Sequence, residues 1–498
     1  MNRRRAVFVL ASIVLIALFA SVTYYVLPIV PNHSAYIIAL NAISGLVAIM
    51  VVRQLLRYRG LTIHFWAIFF ILLMGYYVKV GILALVYGSA APGLVELAGE
   101  GGGFLLGNTP VFLTSYELMT ISFFGFGLAV LVVTGFSSAR TARHSETGYL
   151  DARGQLAKPR FFLGLLGLLT LIYAVGATIQ LIYGIGVGFL RQEELPFRLA
   201  GVLIAVQRYL VPLMFLFVIW GADRGRLVKT SRTAVVLYLL YGTTYGLITT
   251  SKAGLIFVIA SLVGLWVSAG TLSAKRVWLI AGTVLFALVF SGYITQVRAL
   301  RANLAIPIVE TILAPLVSAP ALADSAVEQS DTLLLLLAIS LRSVGIDALL
   351  NIVAFDPSFS LERLISILVG ETPLDQIYGR DVLRVDPEIG SFSPSLVGAL
   401  YILTGGFWAT GISVFLYTIV WHKVIRFTDR SSLVLKPALL AMLLLSVLFY
   451  TSEGTIETMP FAFGLIAVAG LLGEFVVKSL LGKTTYGALR SAPLLGIK

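Results

Sequence analysis

The stretch MNRRRAVFVLASIVLIALFASVTYYVL, residues 1–27, decides how the rest of the chain is read. Three arginines, Arg3, Arg4 and Arg5, stand before an apolar run that ends near Leu27. A helix of about 20 apolar residues crosses a hydrocarbon core. The run is too long for a typical signal-peptide core and has no clear small-residue cleavage site. The expectation is a retained first helix with its basic end in the cytoplasm.

The same alternation continues along the chain. Apolar runs long enough to span occur at 6–27, 35–52, 62–87, 115–138, 161–183, 201–222, 234–250, 253–270, 277–297, 395–420, 437–452 and 460–481. Between them, basic clusters alternate with base-poor loops. Bases fall at Arg3–Arg5, Arg53–Arg59, Arg140–Arg160, Arg224–Arg232, Lys275–Arg276, Lys423–Lys436 and Lys478–Lys498, which places 25 of the 36 Lys and Arg on one side. Shifting the frame by one helix destroys this asymmetry. The positive-inside rule then puts both termini in the cytoplasm.

Composition agrees. The chain has 498 residues, 58% of them hydrophobic and 12% charged, with a mean hydropathy of +0.96. Soluble domains are about 25% charged. The net charge of +12 is read as topology and not as a nucleic-acid footprint, because the bases sit at helix ends on one side. With no cysteine, disulfides and thiolate metal sites are excluded.

The expected fold is an all-α polytopic integral membrane protein of about twelve transmembrane helices with one large extracytoplasmic loop. It divides by topology into helices within 1–297, the loop 298–394 and helices plus a tail in 395–498. Within the loop, Ile306–Leu322 and Thr332–Ala354 carry apolar residues at helical spacing. A span at Thr332–Ala354 would invert every later helix and break the charge rule. That segment is therefore expected to lie in the outer interface or to pack on the bundle.

Eleven bases break the rule: Lys79, Arg191, Arg198, Arg208, Lys252, Arg298, Arg301, Arg342, Arg363, Arg380 and Arg384. Charge at membrane depth is expensive and marks pairing or a site. Arg208 lies about two turns inside a span, in Ala205-Val-Gln-Arg-Tyr-Leu210. Lys252 sits between two spans in Thr249-Thr-Ser-Lys-Ala-Gly254, beside the free amides of the next helix, a setting suited to an anion. Arg298 and Arg301 are spaced i,i+3 on one face at the outer end of a span. Arg342 lies in Ser340-Leu-Arg-Ser-Val-Gly-Ile-Asp347. The bland reading of each is a headgroup anchor or a paired structural base. Together they suit a phosphate or pyrophosphate, which Arg binds bidentately. No His-x-x-His pair, Walker motif or G-x-S-x-G occurs, so metal-independent chemistry without a cofactor is expected.

The pattern resembles the oligosaccharide repeat-unit polymerases of O-antigen and capsule pathways, the Wzy family, related to the O-antigen ligases. Two stretches carry the resemblance: Gly246-Leu-Ile-Thr-Thr-Ser-Lys-Ala-Gly-Leu-Ile-Phe257, and Ser393-Pro-Ser-Leu-Val-Gly-Ala-Leu-Tyr401 with Gly405-Gly-Phe-Trp-Ala-Thr-Gly411. The resemblance implies a GT-C-like architecture in a bacterial cytoplasmic membrane. It also implies joining of undecaprenyl-pyrophosphate-linked oligosaccharides at the outer face, with membrane lipids and a chain-length regulator as partners and no nucleic acid. Arg208, Lys252, Arg298, Arg301 and Arg342 would then hold the donor pyrophosphate. Asp347 or Glu388 would serve as general base toward the acceptor hydroxyl. A ligase is expected to carry a functional His in the large loop, and none of His33, His64, His144 and His422 lies there, which favours polymerase. A flippase for lipid-linked oligosaccharide is the other reading. It predicts internal pseudo-symmetry, and no repeat is evident.

Overall fold

The computed structural model describes residues 3–57, 62–88, 107–137, 159–183, 199–249, 253–301, 346–355, 377–382, 394–431, 433–453 and 459–491, with a few single positions between 360 and 374. These residues are almost entirely helical. Eight helices among them are long and apolar enough to cross a membrane: Arg5–Val26, Pro31–Arg57, Thr62–Leu85, Thr109–Gly135, Arg160–Ile182, Val202–Arg224, Phe407–Asp429 and Ala462–Ser479. Shorter apolar helices cover Gly254–Ser268, Ser395–Thr404 and Lys436–Phe449. The chain is an all-α, multi-pass membrane protein by these features. The segment Ile306–Leu322 and the loops 89–106 and 184–198 lie outside the described residues.

Contacts divide the chain into two compact units that interleave along the sequence. One comprises Met1–Thr141, Gln329–Arg426 and Ser446–Met459. The other comprises Ala142–Glu328, Phe427–Leu445 and Pro460–Lys498. The earlier three-part division follows topology, whereas these units follow packing.

The first unit is built on α1 (Arg3–Val26), α2 (Ser34–Arg57), α3 (Thr62–Gly88) and α4 (Thr109–Ser137). Apolar packing alone drives little association in lipid, so interhelical hydrogen bonds matter there. Asn41 Nδ2 donates to Thr23 Oγ1 at 2.8 Å, and Tyr116 OH donates to Asn41 Oδ1 at 2.6 Å. Ser44 and Tyr77 share a 2.6 Å bond, and Tyr36 OH donates to Glu117 at 2.6 Å. This ladder ties the four helices together. Lys79, one of the eleven exceptions, is 2% exposed on α3.

One expectation changes here, and another is decided between its two alternatives. The run 395–420 is two helices and not one span. The helix Ser395–Thr404 ends at Gly405, whose φ of 58° is left-handed, and a new helix runs Phe407–Arg430. Glycine reaches that conformation without a Cβ clash, so it ends the helix and lets the chain turn. The described part of Thr332–Ala354 is the helix Ile346–Phe355, which packs against α3, α4 and Ser395–Thr404. Ile346, Leu349, Leu350 and Ile352 are fully buried. Of the two placements expected for this segment, its described part takes the packed one.

The second unit is an antiparallel series. Pro159–Tyr183 is α5. A broken helix follows: α6 (Leu199–Ala205), a π turn (Val206–Leu210) and α7 (Val211–Arg224). Then come α8 (Val228–Ile248), α9 (Ala253–Ser268) and α10 (Ala274–Arg301). Tight turns join them at the base-rich end. After α7, Leu227 N–H bonds to Ala222 C=O at 2.8 Å with Arg226 left-handed at φ 56°. After α9, Thr271 N–H bonds to Trp266 C=O at 2.8 Å, with Gly270 at φ 64°. Both turns show the six-to-one bond of a Schellman cap. At the opposite end, α8 and α9 meet backbone to backbone. A Cβ on Gly254 would lie 2.9 Å from both the Gly242 oxygen and the Gly246 nitrogen. The Gly242-x-x-x-Gly246 spacing is the small-residue surface that lets membrane helices approach this closely.

Candidate functional site

The base-rich end of the second unit uses its charges structurally. Asp223 pairs with Arg276 and accepts from Ser231 Oγ at 2.6 Å. Arg276 also donates to Thr271 C=O at 2.6 Å and lies 5.0 Å from the Trp266 ring. Glu474 accepts from the backbone amides of Val434 and Leu435, at 2.9 and 3.1 Å, at the start of the helix Lys436–Glu453. A carboxylate on free amides at a helix N-terminus is stabilised by the helix dipole. These contacts give partners to both acids, Asp223 partly buried at a helix end and Glu474 buried.

The base-poor half is different, and it centres on the π turn that carries Arg208. Pro212 follows the turn within the first two positions of α7. Proline has no N–H to offer a carbonyl in the preceding turn. Val211 N–H bonds five residues back, to Val206 C=O. The Gln207 carbonyl thus loses Val211, and Pro212 has no hydrogen to replace it. Tyr241 OH donates to that carbonyl instead, at 2.8 Å. π turns of this kind recur at functional sites, because the extra residue redirects side chains that an α-helix would place elsewhere.

Around the turn stand several tyrosines. Tyr238, Tyr241 and Tyr245 line one face of α8, with ring centroids 5.7 and 5.9 Å apart. Tyr173 of α5 meets Tyr241 edge-on at 4.9 Å and shares a 2.7 Å bond with Thr244. The exposed Arg208 guanidinium interacts electrostatically with the phenols of Tyr241 and Tyr245, and lies 6.0 Å from the Tyr209 ring. Gln207, by contrast, is fully buried. A Cβ built on Gly176 of α5 would collide with its amide nitrogen, so glycine there makes room for the amide. Gln180, one turn further along α5, is also fully buried. Neither glutamine side chain has a hydrogen-bond partner among the described residues. Leaving a buried polar group unsatisfied costs about 1–3 kcal/mol.

The remaining predicted residues divide as follows. Arg298 and Arg301 occupy the last turns of α10, in the same compact unit as Arg208. Asp347 sits in the first turn of the helix Ile346–Phe355, in the other unit. Lys252, Arg342 and Glu388 lie outside the described residues. A search for charge alone misses Gln180, Gln207 and the tyrosines. Two uncharged amides inside apolar spans, together with a proline four residues after Arg208, are the signals that point to them.

The chain has no significant match among protein-family models, curated proteins or solved structures.

Proposed function

We propose that the chain is a membrane glycosyltransferase of the Wzy type, joining undecaprenyl-pyrophosphate-linked repeat units at the outer face of the cytoplasmic membrane. The observation that carries this reading is Arg208, a base held by a π turn among tyrosines on the base-poor half of the second unit. A guanidinium suits a pyrophosphate, and tyrosine rings with hydroxyls suit a sugar. Arg298 and Arg301, at the end of α10, and Lys252 belong to the same unit and extend the cationic set.

In this reading the bases neutralise the charge that grows on the leaving pyrophosphate. The acceptor hydroxyl attacks the anomeric carbon of the donor glycan. Its proton passes to a general base, and the bond to pyrophosphate breaks. The polymer gains one repeat unit and undecaprenyl pyrophosphate departs.

Polymerisation in nanodiscs tests this, with the native lipid-linked repeat unit, EDTA and no nucleotide. A product ladder is expected, falling at least about 100-fold in Arg208→Ala and Lys252→Ala while both variants stay folded in the membrane. Translocation of the lipid-linked unit without chain growth would instead identify a flippase.

A further inference from the structure

One of the two buried glutamines packs on α5 and the other projects from it. The Gln207 amide packs over Gly176. Gln180 is four residues beyond Gly176 on the same helix face, and long helical side chains lean back over the preceding turn. Both glutamines are 0% exposed, and all four of their polar atoms lack partners among the described residues. Apolar side chains of similar volume would fill the same space without this penalty. Packing does not explain two amides here.

The ligand class follows from the atoms offered. Each amide presents an N–H₂ donor and a C=O acceptor. An anion would use the donors and leave both carbonyls unmatched. A hydroxyl both donates and accepts, and sugar rings carry hydroxyls in adjacent pairs. Depth narrows the choice further. Gln207 lies eight residues from the start of α6, roughly 12 Å along the axis, and Gln180 three residues from the end of α5, roughly 5 Å. A group there is close to the membrane anchor of a lipid-linked glycan, not to its far end.

We infer that Gln180 and Gln207 form a hydroxyl-binding subsite for the sugar attached directly to the pyrophosphate of the lipid-linked donor. This rests on the polymerase reading and adds a role for neutral residues inside the bundle.

The test uses the full chain in nanodiscs. Affinity is measured for bare undecaprenyl pyrophosphate and for the same lipid bearing one glucose, galactose or N-acetylhexosamine. Wild type is expected to bind at least one glycosylated lipid about tenfold more tightly than the bare one. Gln180→Leu and Gln207→Leu should abolish that preference, keep the affinity for the bare lipid, and unfold at or above the wild-type temperature. Gly176→Ala, which displaces the Gln207 amide, provides a second route to the same loss. Equal binding of bare and glycosylated lipids by wild type would mean that the amides hold only water and would overturn the inference, leaving the polymerase reading intact. A preference that survives in all three variants would overturn it as well. Failure of wild type to bind any of these lipids would overturn both readings together.

Discussion

Asp223 shows how one side chain can serve several helices at once. It closes the end of α7, bonds Ser231 near the start of α8 and pairs with Arg276 at the start of α10. Removing it leaves a partly buried guanidinium short of its counter-charge, which costs more than the contact itself contributes. Asp223→Ala is expected to lose about 2 kcal/mol of stability. The check is a lower thermal midpoint in detergent with an unchanged rate per folded molecule of the proposed polymerisation. An unchanged midpoint would show that solvent at this end compensates for the lost pair. At this scale the sequence reveals which residues are anomalous, but not what they do. Arg208 is evident as a charge inside a span. The roles of Asp223 and Glu474 are not legible there, because their partners lie 53 and about 40 residues away in the chain.

Among the elements, the π turn matters most. Its cause is local, since Pro212 removes a donor from the preceding turn. Its consequence is tertiary, since the released Gln207 carbonyl is taken by Tyr241 of another helix. Restoring the donor should restore an α-helix. Pro212→Ala is therefore expected to draw the segment into α-helical register and rotate the residues before it by about 100°. Gln207 would leave Gly176, and Arg208 would leave the phenols of α8. A stability equal to or above wild type is expected, with the proposed polymerisation reduced about 100-fold by misplacement alone. Wild-type activity in a fully folded Pro212→Ala would separate the π turn from function. The break at Gly405 carries the opposite lesson. Hydropathy averaged over a window passes smoothly through Gly405-Gly406, so 395–420 reads as one span, although the left-handed backbone at Gly405 divides it.

For the whole molecule, the topology is directly testable because the chain contains no cysteine. A single cysteine can be added to the native background. Ser273→Cys, in the base-rich turn before α10, should react with a membrane-impermeant maleimide only after spheroplasts are opened. Asn108→Cys, just before α4, should react in intact ones. The reverse pattern would invert the assignment of inner and outer faces and remove the outer-face glycan reading. The sequence by itself determined the helical, membrane-spanning class, because transfer of apolar residues into hydrocarbon is a nearly additive property of each short stretch. It also set apart Arg208, since a charge at that depth stands out against its immediate neighbours. Only the tertiary structure decided that Ile346–Phe355 is packed within the bundle, that the Gln207 amide lies over Gly176 while neither it nor Gln180 has a partner among the described residues, and that Tyr241 satisfies the π turn. Hydropathy depends on a residue and its near neighbours in the chain. Burial, partnership and the lack of a partner depend on which distant helices pack together, and interhelical hydrogen bonds and glycine contacts as close as Gly242 against Gly254 set that packing.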